Sequence, residues 1–349
     1  MAQHVKTRKP KHGAVRRAAR TLYRAVFVLS LLIVAGYAAF RIMARPPEQS
    51  PPSAPASTPV PARTDDPDTA EDESTLPTPT PLVRRDGVYT FLLAATDVGG
   101  GNTDTIMVVT YDTEEQKVGV VSIPRDTMVD RKNPKINSVY ASGGIEELKN
   151  VASALLGFPI DHYVTVNINA FKRLVDAVGG VNFYVPCDMN YDDTTPGEEL
   201  HIHYTEGMHP LDGQQALEVV RFRHNNDGSG YTDVGRTQTQ RKLLTTVAKK
   251  VLSLSSVTKF NSFVEIFTDN VKTDLSAGNV AWFASQALKL NPDADISGET
   301  LPGDGSVKYK GYSWCYELDP EATLEIANRL LNPYTTELTP DMLEIAQTG

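Results

Sequence analysis

VYTFLLAATDVGGGNTDTIMVVTYDTEEQKVGVVSIPRD, residues 88–126, is the stretch that decides the fold. Val88–Ala95, Thr105–Tyr111 and Lys117–Ile123 are β-branched and aromatic runs bounded by Gly, Asp or Pro, so they read as three successive strands. Beyond them, helical spacing alternates with further strand-like runs. Helices are predicted over Gly144–Leu156, Ala170–Val178, Asp212–Val220, Gly235–Leu254, Phe260–Phe267, Ala277–Leu290 and Pro320–Leu331. Strands are predicted over His162–Val166 and Val181–Val185. A sheet built from such strands must cover its faces with those helices. The expectation is an α/β fold, a layered α-β-α sandwich around a central mixed sheet. No internal repeat stands out.

Upstream of this body the composition changes twice. The 349 residues carry a formal charge of −9, but ten of the 34 Lys/Arg fall in residues 1–47 with no acid among them. The remainder sets 24 basic against 43 acidic groups, which argues against a nucleic-acid binder. Eight of the ten cations, from Lys6 to Arg24, precede an apolar run from Ala25 to Phe40 that Arg41 closes. As a helix that run spans about 24 Å, short of the roughly 30 Å hydrocarbon core. Ile42 and Met43 extend it and arginines snorkel, so residues 25–43 are read as a single-pass anchor. The positive-inside rule keeps residues 1–24 cytoplasmic and sends the rest outward. A cleaved signal peptide is the rival, with Gly36 and Ala38 as small residues of suitable spacing.

Residues 44–81 form a second zone. Eleven of the 23 prolines lie between Pro46 and Pro81, mixed with Ser, Thr, Ala and acids. Such a segment cannot bury enough apolar area to offset its ordering entropy, so it is expected to act as an extended linker. The folded domain is placed over residues 82–349, long enough for one large core or two modest ones.

Candidate chemistry clusters at strand exits, where α/β folds place their ligands. Asp97 and Asp104 flank a glycine-rich loop between the first two strands. Converging carboxylates share a proton or bind a cation, and hard oxygen ligands favour magnesium or a relative such as manganese. A solvated turn with Asp caps is the simpler reading. Arg125 follows the third strand in Ser122-Ile123-Pro124-Arg125-Asp126, where its planar fork suits a phosphate, or a structural pair with an acid. Arg221 and Arg223 alternate around Phe222, while Arg236 and Gln240 share one helical face. Arginines aimed from several element ends of an acidic body suggest an anion site; scattered surface ion pairs are the alternative.

Weaker signals complete the survey. His201 and His203 share a strand face with His209 nearby, but no cysteine or suitably spaced acid completes a zinc set. Asn225–Gly230 resembles a calcium loop without its terminal Glu. Cys187 and Cys315 could pair or stay free, since the redox state outside the cell depends on the organism. Neither a Gly-x-Ser-x-Gly elbow nor a Walker loop is present.

Seven stretches, in order, resemble the LytR–CpsA–Psr family of bacterial envelope proteins: TDVGGGNTDTIMV, VVSIPRDT, KINSVYASGG, LLGFPIDHYVTVN, FKRLVDAVGGVNFYVP, GMHPLDGQQALEVVRFRH and DVGRTQTQ. They span roughly residues 88–253, and the anchor and linker ahead of them also fit. The resemblance implies an extracytoplasmic phosphotransferase at the cell membrane. Its donor would be a glycopolymer on a polyprenyl-pyrophosphate carrier, such as teichoic acid or capsule, and its acceptor a peptidoglycan muramic acid hydroxyl. By position, Asp97 and Asp104 would hold Mg²⁺ (or Mn²⁺), and Arg125, Arg221, Arg223, Arg236 and Gln240 would surround the pyrophosphate. Arg125, Arg221 and Arg223 would act in the transfer step, and apolar helices would line a tunnel for the lipid tail. Asp126 and His224 are proton-acceptor candidates by neighbourhood only.

The chain departs from the family pattern in three places. Val98 and Gly99 follow Asp97 where an arginine is common, Asn102 and Thr103 precede Asp104 where Arg-Ser is common, and Thr239 precedes Gln240 where an arginine is common. Fewer cations keep two other readings open: a polyprenyl-pyrophosphate hydrolase, and a non-catalytic lipid-binding scaffold or regulator.

Overall fold

The computed structural model describes residues 43–51, 82–96, 103–194, 200–230, 233–253, 271–291 and 293–348. Strands β1 (Val88–Thr96), β2 (Thr103–Asp112) and β3 (Lys117–Ile123) form an antiparallel meander. Its register places Leu92, Val108 and Val121 in one cross-strand row and Ala94, Ile106 and Ile123 in the next. Alternation then puts all six on one face, against Leu148, Ala152, Leu155 and Leu156 of helix α1 (Asn137–Leu156). Each such fully buried aliphatic side chain contributes about 1.5–3 kcal/mol.

The helix that crosses over between strands permits parallel pairing, and β4 (His162–Asn167) lies parallel to β1. Two further strands complete the sheet: β9 (Val271–Thr273), antiparallel to β4, and β10 (Ile296–Thr300), parallel to β3. The order is β10-β3-β2-β1-β4-β9, a mixed six-stranded sheet. Helix α4 (Asp233–Ser253) covers the other face, where Gln240 meets Thr105 of β2 and Arg241 donates to the Gly298 carbonyl of β10. Three layers result, as the sequence pattern predicts.

A second core lies beside the sheet. Helices α2 (Ile168–Ala177) and α3 (Gly213–Arg221) pack with α4 on a nested hairpin. Its strands are β5 (Val181–Val185), β6 (Met189–Asp193), β7 (Leu200–Tyr204) and β8 (Gly207–Leu211), with β5 paired to β8 and β6 to β7. Phe171, Val175, Phe183, Ile202, Leu217 and Phe222 fill this core. Asn167 caps α2 through the Ala170 amide, and Asp212 caps α3 in a reciprocal box with Gln215.

Several boundaries differ from expectation for local reasons. Helix α1 starts at Asn137, not Gly144, because Gly144 (φ 73°, ψ −169°) breaks it and only the downstream part shows clean periodicity. The helix expected over Pro320–Leu331 is α6 (Pro320–Ile326) followed by one π turn, Ala327–Leu331. That wider turn directs the Leu331 carbonyl to Thr110 Oγ1 at 2.9 Å and lays Leu330 on Gly119. A Cβ at Gly119 would stand 1.9 Å from the Leu330 oxygen, so no other residue fits there. Helix α5 is Ala277–Ala287, and β11 (Gly303–Tyr309) with β12 (Tyr312–Leu318) makes a separate hairpin.

The chain divides into two compact units. The larger comprises Glu48–Leu275 and Gln286–Gly349. The smaller comprises Met1–Pro47 and Ser276–Ser285, within which Asn279 Nδ2 donates to the Arg45 carbonyl at 3.0 Å. Among the described residues no helix is long and apolar enough to cross a membrane. The basic tail, the apolar run to Ile42, most of the Pro-rich segment and the helix expected over Phe260–Phe267 lie outside the described residues. Cys187 and Cys315 are free thiols.

Candidate active site

The register that aligns Ile106 with Ile123 carries the chain two residues further on each strand, bringing Asp104 opposite Arg125. Arg125 Nη1 donates to Asp104 Oδ1 at 2.8 Å, and its Nε stands 3.3 Å from Asp126 Oδ2. Lys135 Nζ braces the other Asp126 oxygen at 3.1 Å. Asp104 thus holds the guanidinium by a hydrogen bond at the strand ends, and Asp126 pairs with its charge. Charge-assisted bonds of this kind fix geometry as well as adding energy. Asp126 therefore pairs with both Arg125 and Lys135. Lys135 escaped sequence reasoning because only the tertiary turn brings it to Asp126.

A third group arrives from the second core. Helix α3 ends at Arg221, and Phe222, whose ψ of 133° leaves the helix, is fully buried as an anchor. The chain then exposes Arg223, whose Nη2 stands 4.0 Å from Asp104 Oδ2. Gln240 fixes this segment from α4: its Nε2 donates to the Val220 carbonyl at 3.1 Å, and its Oε1 accepts from Thr105 Oγ1 at 3.2 Å. One buried amide thereby joins the strand of Asp104 to the segment of Arg221 and Arg223. Arg236, one turn earlier on α4, is also buried, and Arg221 is exposed beside Val220.

Asp104, Arg125, Arg223 and Gln240 are thus linked by direct contacts or through Thr105. Arg221 and Arg236 are sequence neighbours of that set. Asp97 lies outside the described residues. His224 is exposed, its Nδ1 3.0 Å from the Asn225 carbonyl and its ring edge-on to Tyr191. Chemically, Arg125, Arg223 and Lys135 gathered at the strand ends suit a multiply charged anion, phosphate above all.

Gln240→Ala is expected to cost about 1–3 kcal/mol, because it orphans the half-buried bonding groups of Val220 and Thr105. Urea unfolding with an unchanged m-value checks this; a midpoint equal to that of the parent would remove Gln240 as the joint.

The sequence matches the LytR_cpsA_psr family over residues 64–332. The chain belongs to that family. Among curated LytR_cpsA_psr relatives, the polyisoprenyl-teichoic acid–peptidoglycan teichoic acid transferase TagU of Bacillus mycoides (strain KBAB4) is 33% identical over 255 residues, 71% of this chain and 79% of the relative. The TagU of Bacillus cereus (strain AH820) is 34% identical over 252 residues, 70% and 78% of the two chains. The crystal structure of B. subtilis TagV superposes with a TM-score of 0.59 at 25% identity, covering 70% of this chain and 96% of that one. The α/β fold with its central mixed sheet is thus shared with other LytR_cpsA_psr proteins. Thr239, standing where the family motif commonly carries an arginine, is buried in this chain.

Proposed function

We propose that this chain transfers a phosphate-linked glycopolymer from a polyprenyl-pyrophosphate carrier to a peptidoglycan muramic acid hydroxyl. The observation that carries the reading is the approach of Arg125 and Arg223 to one carboxylate, Asp104, at the start of β2. The TagU relatives, named for teichoic acid transfer to peptidoglycan, supply the substrate class. In the proposed step the hydroxyl oxygen attacks the phosphorus nearest the glycan. The bond from that phosphorus to the bridging oxygen breaks, polyprenyl phosphate leaves, and the hydroxyl proton passes to solvent. Such transfer needs positioning and charge neutralisation more than covalent help. Arg125, Arg221 and Arg223 would stabilise charge on the bridging and non-bridging oxygens, with Arg236 and Gln240 completing the surround of the pyrophosphate.

Asp104 suits a hard divalent cation: its carboxylate is nearly half exposed, and among the described residues Oδ2 carries only the long contact to Arg223. With Asp97 it would hold Mg²⁺ or Mn²⁺, which would neutralise phosphate charge when bound. The basic tail and the apolar run of residues 25–43 support a membrane anchor with a cytoplasmic N-terminus and an extracytoplasmic catalytic domain.

Asp104→Asn is expected to weaken Mg²⁺ dependence more than donor binding. Fluorescent polyprenyl-pyrophosphate disaccharide, titrated into the purified chain with and without Mg²⁺, separates the two. Equal loss of both would recast Asp104 as a structural carboxylate. Donor binding no tighter than that of polyprenol without phosphate would remove the pyrophosphate site.

A further inference from the structure

The β6–β7 hairpin carries a cluster that the transfer reaction does not use. Its register pairs Asp192 with His201 and Asn190 with His203, so four polar side chains alternate onto one exposed face while Met189, Leu200 and Ile202 point into the second core. The sequence reading finds no acid to complete a set with His201 and His203. The structure corrects this, because Asp192 lies directly across the hairpin, hidden from any spacing rule by the turn between the strands. His201 Nδ1 lies 2.6 Å from Asp192 Oδ1, and His203 Nε2 lies 3.2 Å from the same oxygen. His209, the third histidine of the sequence survey, instead contacts the Thr205 carbonyl at 2.8 Å.

His203 presents its two ring nitrogens to different partners: Nδ1 lies 2.8 Å from Asn190 Oδ1, and Nε2 faces the Asp192 carboxylate that His201 also meets. A bound metal with ligand bonds of about 2.1 Å places tetrahedral ligand atoms about 3.4 Å apart. The ligand atoms of Asp192, His201 and His203 all lie within 4.8 Å of one another. Asn190 behaves as the outer partner that commonly orients a metal-bound histidine.

We propose that Asp192, His201 and His203 form a surface site for a Zn²⁺-class divalent transition metal. Two imidazoles and one carboxylate favour Zn²⁺, Ni²⁺ or Cu²⁺ over Mg²⁺ and Ca²⁺, which prefer oxygen alone. The site is therefore separate in chemistry from the Asp104 site. Three protein ligands leave a coordination position open to water or an anion. The free edge of β6 also docks on the chain just past Arg223: Asn190 N donates to Asn225 Oδ1 at 2.6 Å and Asp192 N to Asn226 Oδ1 at 3.0 Å. A metal that pins β6 to β7 thereby steadies the strand on which that segment rests.

The test is calorimetric titration of ZnCl₂ into the full chain, detergent-solubilised, free of a histidine tag and stripped with chelator. One equivalent is expected to bind, with excess MgCl₂ unable to displace it, and Co²⁺ substitution is expected to give the visible absorption of a low-coordinate site. Asn190→Ala should weaken binding about 10–100-fold, and His201→Gln with His203→Gln should abolish it. All three side chains are exposed, so circular dichroism of the variants should match the parent. No binding to the parent, or binding that survives the double histidine variant, would overturn the proposal.

Discussion

Arg125→Ala is expected to reduce glycopolymer transfer by about 10²–10³-fold or more while leaving the fold intact. The side chain sits just past the end of β3, one fifth exposed, and its partners do not depend on it for burial. Asp104 is nearly half exposed and Asp126 keeps Lys135, so neither is left as an uncompensated buried charge. What the substitution removes is a planar donor fork held between two carboxylates. Arg125→Lys keeps the charge and loses the fork, so its activity should fall between alanine and the parent. Transfer measured alongside thermal unfolding checks both halves. Transfer equal to the parent in Arg125→Ala would remove this residue from the site.

Asp161→Ala is expected to cost about 3–5 kcal/mol of stability. The Asp161 side chain is fully buried against Arg84, which is itself buried. It also accepts from the Thr90 amide at 2.8 Å, Thr90 Oγ1 at 2.9 Å and the Ser50 amide at 2.7 Å. Removing the carboxylate strands a guanidinium and three donors at the head of β4. Arg84→Met with Asp161→Leu should recover part of the loss, since a matched apolar pair avoids the orphaned charge. Urea unfolding measures both. A loss under about 1 kcal/mol for Asp161→Ala would place the pair among surface ion pairs instead.

The sheet was legible because its central strands are buried on both faces. Continuous β-branched runs such as Thr105–Tyr111 leave little alternative, and the alternation with helices then sets the layers. Within the nested hairpin β5 was legible, but β6 and β8 were not, because each runs over only five positions and β8 turns Met208 and Pro210 to solvent. The π turn at Ala327–Leu331 answers to contacts with Thr110 and Gly119 that no local window contains.

The site divides in the same way. Arg125 and Asp104 were legible as strand-exit residues, and Arg236 and Gln240 as a shared helical face. Gln240 reads in sequence as a phosphate ligand, and in the fold its amide also joins Thr105 to Val220. Lys135 and Asp192 were illegible because each meets its partner across a turn.

The measurement that bears most directly on the central claim is turnover by the purified full chain, given a polyprenyl-pyrophosphate saccharide, Mg²⁺ and peptidoglycan oligomers. Sugar phosphate on the glycan and free polyprenyl phosphate would be followed together. The expected result is equal yields of the two products, lost on chelation and in Arg125→Ala. Polyprenyl phosphate released with no sugar phosphate on the glycan would make the protein a hydrolase. Donor bound with neither product formed would make it a scaffold, and either outcome would contradict the transferase reading.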